Sequence, residues 1–461
     1  MKNLSLFFLF FLSFCAVSQI YSGNWKGKLT AMGTTQEIYL SVEKSNSTYQ
    51  VFLISPSNPE VKFPCDSVAV SDSSFYFSLA KLGIVYEGRP TKDSLIGEFR
   101  QNGFVLDLLM SPSKIKLEKP KRPQTPVGEQ DYYTEEILVE NTSDSLTLSG
   151  TLTLPSDSGK FPVVVLVSGS GPQNRDSEMF GHKPFAVIAD HLAKQGIGSF
   201  RYDERGVGRS SGEFQGADLE DLYSDLSAVV EVIQERKEVS KLGLLGHSEG
   251  GILAPKFASQ NKKQIEFVVM MGAPGMPIKD MMHLQREALY KNQGLSKELI
   301  EEQKRLFTSI DSVVLSKSEE EKSLQLKKVL MDFADEKGMS EVEKTTFLSS
   351  QFDQLDGAWY KSFVSVVPED YLKKMKCSVL VLGGGKDVQV PSSENMKAIG
   401  SALKKSRSRL FAPRTIQFVK YGELNHLLQP CETGMPYEYQ KIETTISRDV
   451  LFSLSDFINS L

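Results

Sequence analysis

The stretch Lys241-Leu242-Gly243-Leu244-Leu245-Gly246-His247-Ser248-Glu249-Gly250-Gly251 decides how the rest of the chain reads. Leu242 to Leu245 form a short apolar run with the character of a buried strand, and Ile252 to Ala258 open an apolar helix pattern. Between them, Gly246 to Gly250 fit G-x-S-x-G, a strand–turn–helix elbow that lifts a serine hydroxyl above a sheet. So tight a turn needs neighbours without side chains two positions to either side of Ser248, because strand and helix backbones approach closely there. The helix start behind the serine favours developing negative charge. The five-residue pattern alone recurs by chance; its setting between strand and helix gives it weight.

Outward from the elbow, strands alternate with helices from Glu135 to Leu461. Glu136–Val139 and Leu146–Leu154 read as a leading antiparallel pair. Pro162–Val167 is apolar throughout, as a strand covered on both faces requires. A helix (Phe185–Gln195), a strand (Gly198–Tyr202), an acidic helix (Leu219–Arg236) and the elbow strand follow. Phe267–Met271, Ser378–Leu382 and Thr415–Val419 complete the strands, and a helix over Asp449–Leu461 closes the chain. This rhythm predicts an α/β domain with a mostly parallel, doubly covered sheet. It breaks once: residues 276–370 are rich in Glu, Lys, Leu and Met and read as amphipathic helices, a helical cap inserted over the sheet end where the elbow points.

The first part of the chain differs. Residues 19–118 hold short β-rich runs at Trp25–Leu29, Ile38–Val42, Tyr49–Ile54, Phe75–Leu79 and Phe104–Leu109, separated by turn clusters at Ser45-Asn46-Ser47, Ser55–Pro59 and Gln101-Asn102-Gly103. They predict a small all-β sandwich or barrel that either binds a ligand or shields and positions the second domain, the plainer role being preferred. Residues 119–134 read as a linker, with three prolines and three basic residues in Lys119–Val127 suggesting an extended, semi-rigid segment. Before all of this, Lys2, the Leu/Phe-rich run to Phe14 and the small residues Ala16 and Ser18 describe a secretory signal peptide over residues 1–18. The run is short for a membrane span, so the expectation is an exported protein, periplasmic or extracellular, with no stable membrane insertion after cleavage.

Composition sets the remaining bounds. The 461 residues are 40% apolar and 24% charged, with a net charge of −5 and no dense basic run, which gives no nucleic-acid signature. Outside the signal, Cys65, Cys377 and Cys431 cannot all pair, so the chain is no disulfide scaffold. A Cys65–Cys431 bridge would suit an oxidising compartment, but nothing in the sequence requires it. There is no C-x-x-C or H-E-x-x-H spacing, so no metal is expected, and the serine chemistry read below requires no cofactor.

An elbow serine within this α/β pattern resembles the α/β-hydrolases, in which nucleophile, acid and histidine follow in that order along the chain. Five histidines make the base a matter of elimination. His247 is on the turn itself, His182 precedes a helix, His191 is inside it and His283 falls in the cap. His426, in Gly422-Glu423-Leu424-Asn425-His426, lies between the last strand and the closing helix, where that order puts the base. Asp387 follows Gly383-Gly384-Gly385-Lys386, glycines that let the chain turn sharply over the sheet, and is the acid that would fix its tautomer. For the oxyanion, the small-residue loop Ser168-Gly169-Ser170-Gly171-Pro172 offers a backbone N–H, taken as that of Ser170 with Gly169 as the neighbouring alternative, and Glu249 offers the second. Asp203 and Arg205 are read as structural.

As a set, Ser168–Asp176, Arg201–Ser210, Gly246–Gly251 and Leu424-Asn425-His426 resemble EstD-type bacterial carboxylesterases, which belong with the serine aminopeptidase-like α/β-hydrolases. The resemblance covers about residues 135–461. It implies Ser248, Asp387 and His426 as a triad and short acyl esters as substrates. Ser168 stands where many relatives carry histidine, and Asn174 where aspartate is common. The expected function is a secreted serine carboxylesterase acting on small-molecule esters of short to medium acyl chains. A serine aminopeptidase or amidase on the same triad is the alternative among enzymes, with Glu249 or cap acids meeting the substrate's ammonium. A non-catalytic binding protein on a retired hydrolase fold is the alternative outside them.

Overall fold

The computed structural model describes residues 21–461 apart from 32–33, 46–47, 55–61, 72, 92, 102–103, 115–120, 317–318 and 407–413. The expected signal segment, the turn signals at Asn46-Ser47, Ser55–Pro59 and Asn102-Gly103, and Lys119-Pro120 lie outside the described residues. The chain divides between Leu117 and Glu118 into two units.

The first unit is all β: β1 (Gly23–Ala31), β2 (Thr34–Ser45), β3 (Thr48–Ile54), β4 (Lys62–Pro64), β5 (Ser67–Val70), β6 (Phe75–Leu79), β7 (Ile84–Pro90), β8 (Leu95–Gln101) and β9 (Phe104–Pro112). They form one nine-stranded sheet in the order β4-β3-β2-β1-β9-β8-β7-β6-β5. The order begins with β4 and ends with β5, yet only Cys65 and Asp66 separate those strands in the chain. Cys65 N–H bonds to Val51 O on β3 at 2.9 Å, and Asp66 N–H to Ser78 O on β6 at 2.8 Å. The sheet must therefore roll until its ends meet, which favours the barrel over the sandwich. Its interior is filled by side chains, Trp25, Leu40, Phe75, Phe77, Tyr86 and Phe99 among them, with Phe77 and Tyr86 stacked at 5.4 Å. Strands β7 and β8 escape a sequence reading because Glu87, Arg89, Glu98 and Arg100 interrupt their apolar residues. Their alternating burial is that of strands with one wet face.

The second unit has the α/β-hydrolase fold. Its strands are β10 (Tyr133–Asn141), β11 (Leu146–Leu154), β12 (Phe161–Val167), β13 (Gly198–Tyr202), β14 (Val239–His247), β15 (Phe267–Met271), β16 (Ser378–Gly384) and β17 (Ile416–Tyr421), ordered β10-β11-β13-β12-β14-β15-β16-β17. Strand β11 runs antiparallel to both neighbours and the rest are parallel. Helices α1 (Pro184–Lys194), α2 (Leu219–Gln234) and α3 (Gly250–Gln260) come first, followed by α4 (Ile278–Asn292), α5 (Lys297–Val314), α6 (Glu319–Glu336), α7 (Glu341–Asp356), α8 (Ala358–Val364) and the short α9 (Glu369–Leu372). Then come α10 (Ser392–Lys405) and α11 (Arg448–Asn459). Strand β12 shows why its run is apolar throughout. Val163, Val165 and Val167 pack with Leu226 and Val229 of α2 and Phe257 of α3, while Val164 and Leu166 pack with Ile188 of α1 and Phe457 of α11. Period-two alternation sends successive side chains into two separate cores.

Helices α4–α8 are the cap, with a small core of their own around Ile310, Leu326, Leu330, Phe347 and Tyr360. The segment entering this unit is fastened to it. Arg122 donates to the carbonyls of Phe180 and Ile442, each at 2.8 Å, and of Gln440 at 3.0 Å. Gln124 bonds Ile446 O at 2.9 Å and accepts the N–H of Thr445 at 2.6 Å. Cys65, Cys377 and Cys431 are all free thiols. Among the described residues no helix is long and apolar enough to cross a membrane, and no three His, Cys, Asp or Glu side chains gather as metal ligands.

Candidate active site

Ser248 sits where β14 passes into α3, with φ of 54°, a left-handed conformation costly for a residue with a side chain. Its N–H bonds to Met271 O at the end of β15, 2.9 Å away, and its carbonyl accepts the N–H of Gly251 at the same distance. The flanking glycines are sterically required. A Cβ on Gly246 would lie 2.0 Å from Gly250 O, and one on Gly250 would lie 2.2 Å from Val167 O.

His426 lies on the loop after β17, and its Nδ1–H donates to Asp387 Oδ2 at 2.8 Å. The other carboxylate oxygen accepts the backbone N–H groups of Gln389, at 2.9 Å, and Val390, at 2.8 Å. Both oxygens of Asp387 are thus used, and the imidazole is held with Nε2 as its free acceptor. Gly383 and Gly384, expected as turn residues, are instead the last residues of β16. Their lack of a side chain serves close packing: a Cβ on Gly383 would lie 2.8 Å from Ser392 Oγ on α10, and one on Gly384 would lie 2.3 Å from Leu424 O, in the loop that carries His426. Fully buried Asn425 shapes that loop, its Oδ1 accepting the N–H groups of Leu427 and Gln429.

The other histidines are engaged elsewhere. His247 donates from Nε2 to His426 O at 3.1 Å and is pushed down to about 3 by burial and by the neighbouring His426, so it stays neutral. His182 bonds Thr445 and the carbonyl of Tyr439, each at 3.0 Å, and burial pushes it down to about 4. His191 meets Ser455 on α11, and His283 meets Asp311 within the cap.

Ser248 and His426 open onto one cavity of about 390 Å³, lined on its near side by Gly169 and Ser170. Among the described residues the Ser248 hydroxyl makes no hydrogen bond, an arrangement common in unliganded hydrolases, whose catalytic contacts tighten with substrate. The N–H groups of Ser170 and Glu249 likewise have no protein acceptor among the described residues, which leaves both available to an oxyanion. The cavity's far walls are Met179, Phe180, Met281, Met282, Trp359 and Phe363, with Gln173, Gln285 and Gln389 as neutral polar points. Among the described residues, no Asp, Glu, Lys or Arg lines it.

Two buried carboxyl groups brace the loop beside the serine, and sequence reading missed both side-chain roles. Glu204 accepts from Ser168 Oγ at 2.7 Å and from Gln173 N–H at 2.8 Å. Ser168, where relatives differ, is thus an anchor of this loop. Glu249 accepts from Ser170 Oγ at 3.0 Å and from Trp359 Nε1 at 2.7 Å. Burial pushes Glu204 up to about 8 and Glu249 up to about 7. Asp203 and Arg205 are structural, as read: Asp203 pairs with Arg175 and Arg205 with Asp225, each at 2.8 Å. Asn174 caps a turn, accepting the N–H groups of Asp176 and Glu178.

A family model described as serine aminopeptidase, S33, matches residues 182–333, which hold Ser248 but neither Asp387 nor His426. Esterase EstD of Thermotoga maritima is 27% identical over 320 residues, 68% of this chain; the chain spans 65% of that relative's length. Among solved structures, the Pyrococcus furiosus esterase Pf2001 is 15% identical at a TM-score of 0.43, covering 74% of this chain and 98% of its own. Est1E from Butyrivibrio proteoclasticus, solved with ferulic acid bound, is 15% identical at a TM-score of 0.40, covering 70% and 96%. The chain is a homologue of EstD, as its motifs indicate.

Proposed function

We propose that this chain is an exported serine carboxylesterase that hydrolyses neutral esters of short to medium acyl chains. The name of its EstD relative supports ester hydrolysis. In this reading His426 Nε2 takes the proton of Ser248 as the hydroxyl oxygen attacks the ester carbonyl. Asp387 stabilises the imidazolium, and the N–H groups of Ser170 and Glu249 hold the oxyanion. His426 returns the proton to the departing alcohol, leaving an acyl-enzyme. Water then repeats the sequence to release the acid and restore Ser248. No step needs a cofactor.

One observation favours esters over aminoacyl amides: the lining of the cavity that holds Ser248 and His426. An aminopeptidase must accept the ammonium group of its substrate, and an unpaired cation in a largely apolar cavity is strongly disfavoured. Glu249, the acid nearest the serine, is committed to Ser170 and Trp359 and does not line the cavity. The deciding experiment compares p-nitrophenyl butyrate with alanine p-nitroanilide, using wild type and Ser248→Ala. Ester turnover that falls about 10³-fold or more in the variant, with little amide cleavage, supports the reading. Preferential amide cleavage, or equal activity in both proteins, overturns it. Absence of fluorophosphonate labelling at Ser248 would favour a retired fold. Export rests on residues 1–18 and is tested by the mature protein's N-terminal residue, expected to be Gln19.

A further inference from the structure

Glu249 does more than offer a backbone N–H beside Ser248. Its side chain is almost fully buried, and a single oxygen, Oε2, accepts two hydrogen bonds: from Ser170 Oγ and from the indole N–H of Trp359. Ser170 belongs to the loop that carries the other oxyanion donor. Trp359 belongs to the cap, as the second residue of α8. Its ring stacks on Phe363, centroids 4.8 Å apart and planes within 15°, and both residues line the cavity. One carboxyl group therefore touches the cap wall that faces substrate and the loop of one oxyanion donor, while its own backbone supplies the other.

Stability alone is a poor reason for an acid here. A carboxyl group with two neutral donors recovers little of the hydration it loses on burial, and an apolar side chain of similar volume would be cheaper. We infer that Glu249 is a positioning residue that locks the cap wall at Trp359 to the oxyanion hole at Ser170, so that a substrate filling the cavity against Trp359 sets the donor geometry used in the transition state. The inference rests on the ester-hydrolysis reading for its consequence; the lock itself is a matter of geometry.

The test uses the full chain with Glu249→Met, Glu249→Gln, Trp359→Phe and the double variant Glu249→Met/Trp359→Phe, assayed on p-nitrophenyl butyrate. Removing an oxyanion donor costs about 10²–10³ in kcat, so unlocking one that remains present should cost about 10-fold or more, with KM changing much less. Glu249→Gln should recover most of that loss, because its amide oxygen can accept both bonds that now fall on Oε2. Trp359→Phe should lower kcat less than Glu249→Met. The double variant should be no worse than Glu249→Met, since the two act through one contact. The inference is overturned if Glu249→Met keeps kcat within about twofold of wild type, if the two single effects multiply, or if Glu249→Gln loses as much as Glu249→Met.

A second readout needs no turnover. The chain has two tryptophans, Trp25 and Trp359, so a Trp25→Phe background leaves Trp359 as the sole indole. Glu249→Met should shift its emission, and Glu249→Gln should largely restore it. If wild type hydrolyses no ester, the ester reading fails and emission alone decides the lock: a shift supports it, and an unchanged spectrum overturns it.

Discussion

Asp387 and His426 meet across 39 residues of sequence at 2.8 Å, and the aspartate oxygen that does not face the imidazole is fixed by the N–H groups of Gln389 and Val390. That division of labour fixes the outcome of Asp387→Asn. The two backbone donors demand the amide oxygen, so the amide NH₂ must point at His426. It would hold Nδ1 as an acceptor and turn Nε2–H towards Ser248, the wrong tautomer for a base. We expect kcat to fall about 10³–10⁴-fold with an unchanged thermal midpoint. A loss below tenfold would show that Asp387 does not set the tautomer.

The elbow glycines make a steric prediction. In Gly250→Ala the new Cβ would meet Val167 O and Ser168 O at 2.2 and 2.6 Å, both backbone atoms that cannot swing aside. The variant should lose about 2–3 kcal/mol of stability and most of its activity, read by thermal melting and ester turnover. Gly171→Ala is the control for a left-handed glycine with open space, where only backbone strain is at stake.

Glu204 predicts how stability varies with pH. Burial raises it from about 4.5 in the unfolded chain to about 8 in the folded one. Between those values the folded state keeps a proton that the unfolded chain has released, so stability falls as pH rises through this window and levels off above it. Glu249, raised to about 7, acts in the same direction. In Glu204→Gln the amide oxygen can accept from Gln173 N–H while its NH₂ donates to Ser168 Oγ, so the bracing survives without the charge. Its stability should depend less on pH between 5 and 8.5 and exceed that of wild type near pH 8 by about 1–3 kcal/mol. Parallel melting curves across that range would remove Glu204 from this role.

The neutral cavity predicts a gain of function. Gln285 lies on α4 and lines the cavity. Gln285→Glu would give a substrate ammonium group a counter-charge, so kcat/KM for an alanine ester should rise about 3- to 10-fold relative to the matching propionate ester. No change in that ratio would mean that charge in the cavity does not govern choice of substrate.

Much of the fold was legible because its signals are local. The elbow needs five consecutive residues, and the apolar runs of β12, β14 and β15 follow from burial on both faces. Asp387 and His426 were found by chain order, each on a loop after a late strand. What stayed hidden were contacts between distant segments. Trp359 and Glu249 are 110 residues apart, and Ser168 and Glu204 are 36 apart; no periodicity joins such pairs. The close approach of α10 to Gly383 and of the His426 loop to Gly384 is likewise invisible until the chain is folded. Strands β7 and β8 were missed because a wet face dilutes an apolar pattern.

Arg122 and Gln124 change where this protein can be divided. Composition suggests cutting anywhere between Lys119 and Thr134, since β10 begins only at Tyr133. Yet Arg122 ties Phe180 to Gln440 and Ile442, and Gln124 holds Thr445 and Ile446, while Phe180 and Thr445 both border the cavity. These few residues are a suture against the cavity wall rather than slack ahead of β10. A fragment that starts at Tyr133 would keep every strand of the second sheet, together with Ser248, Asp387 and His426, and still lack these ties beside the cavity. One that starts ahead of Lys121 carries its own stitching.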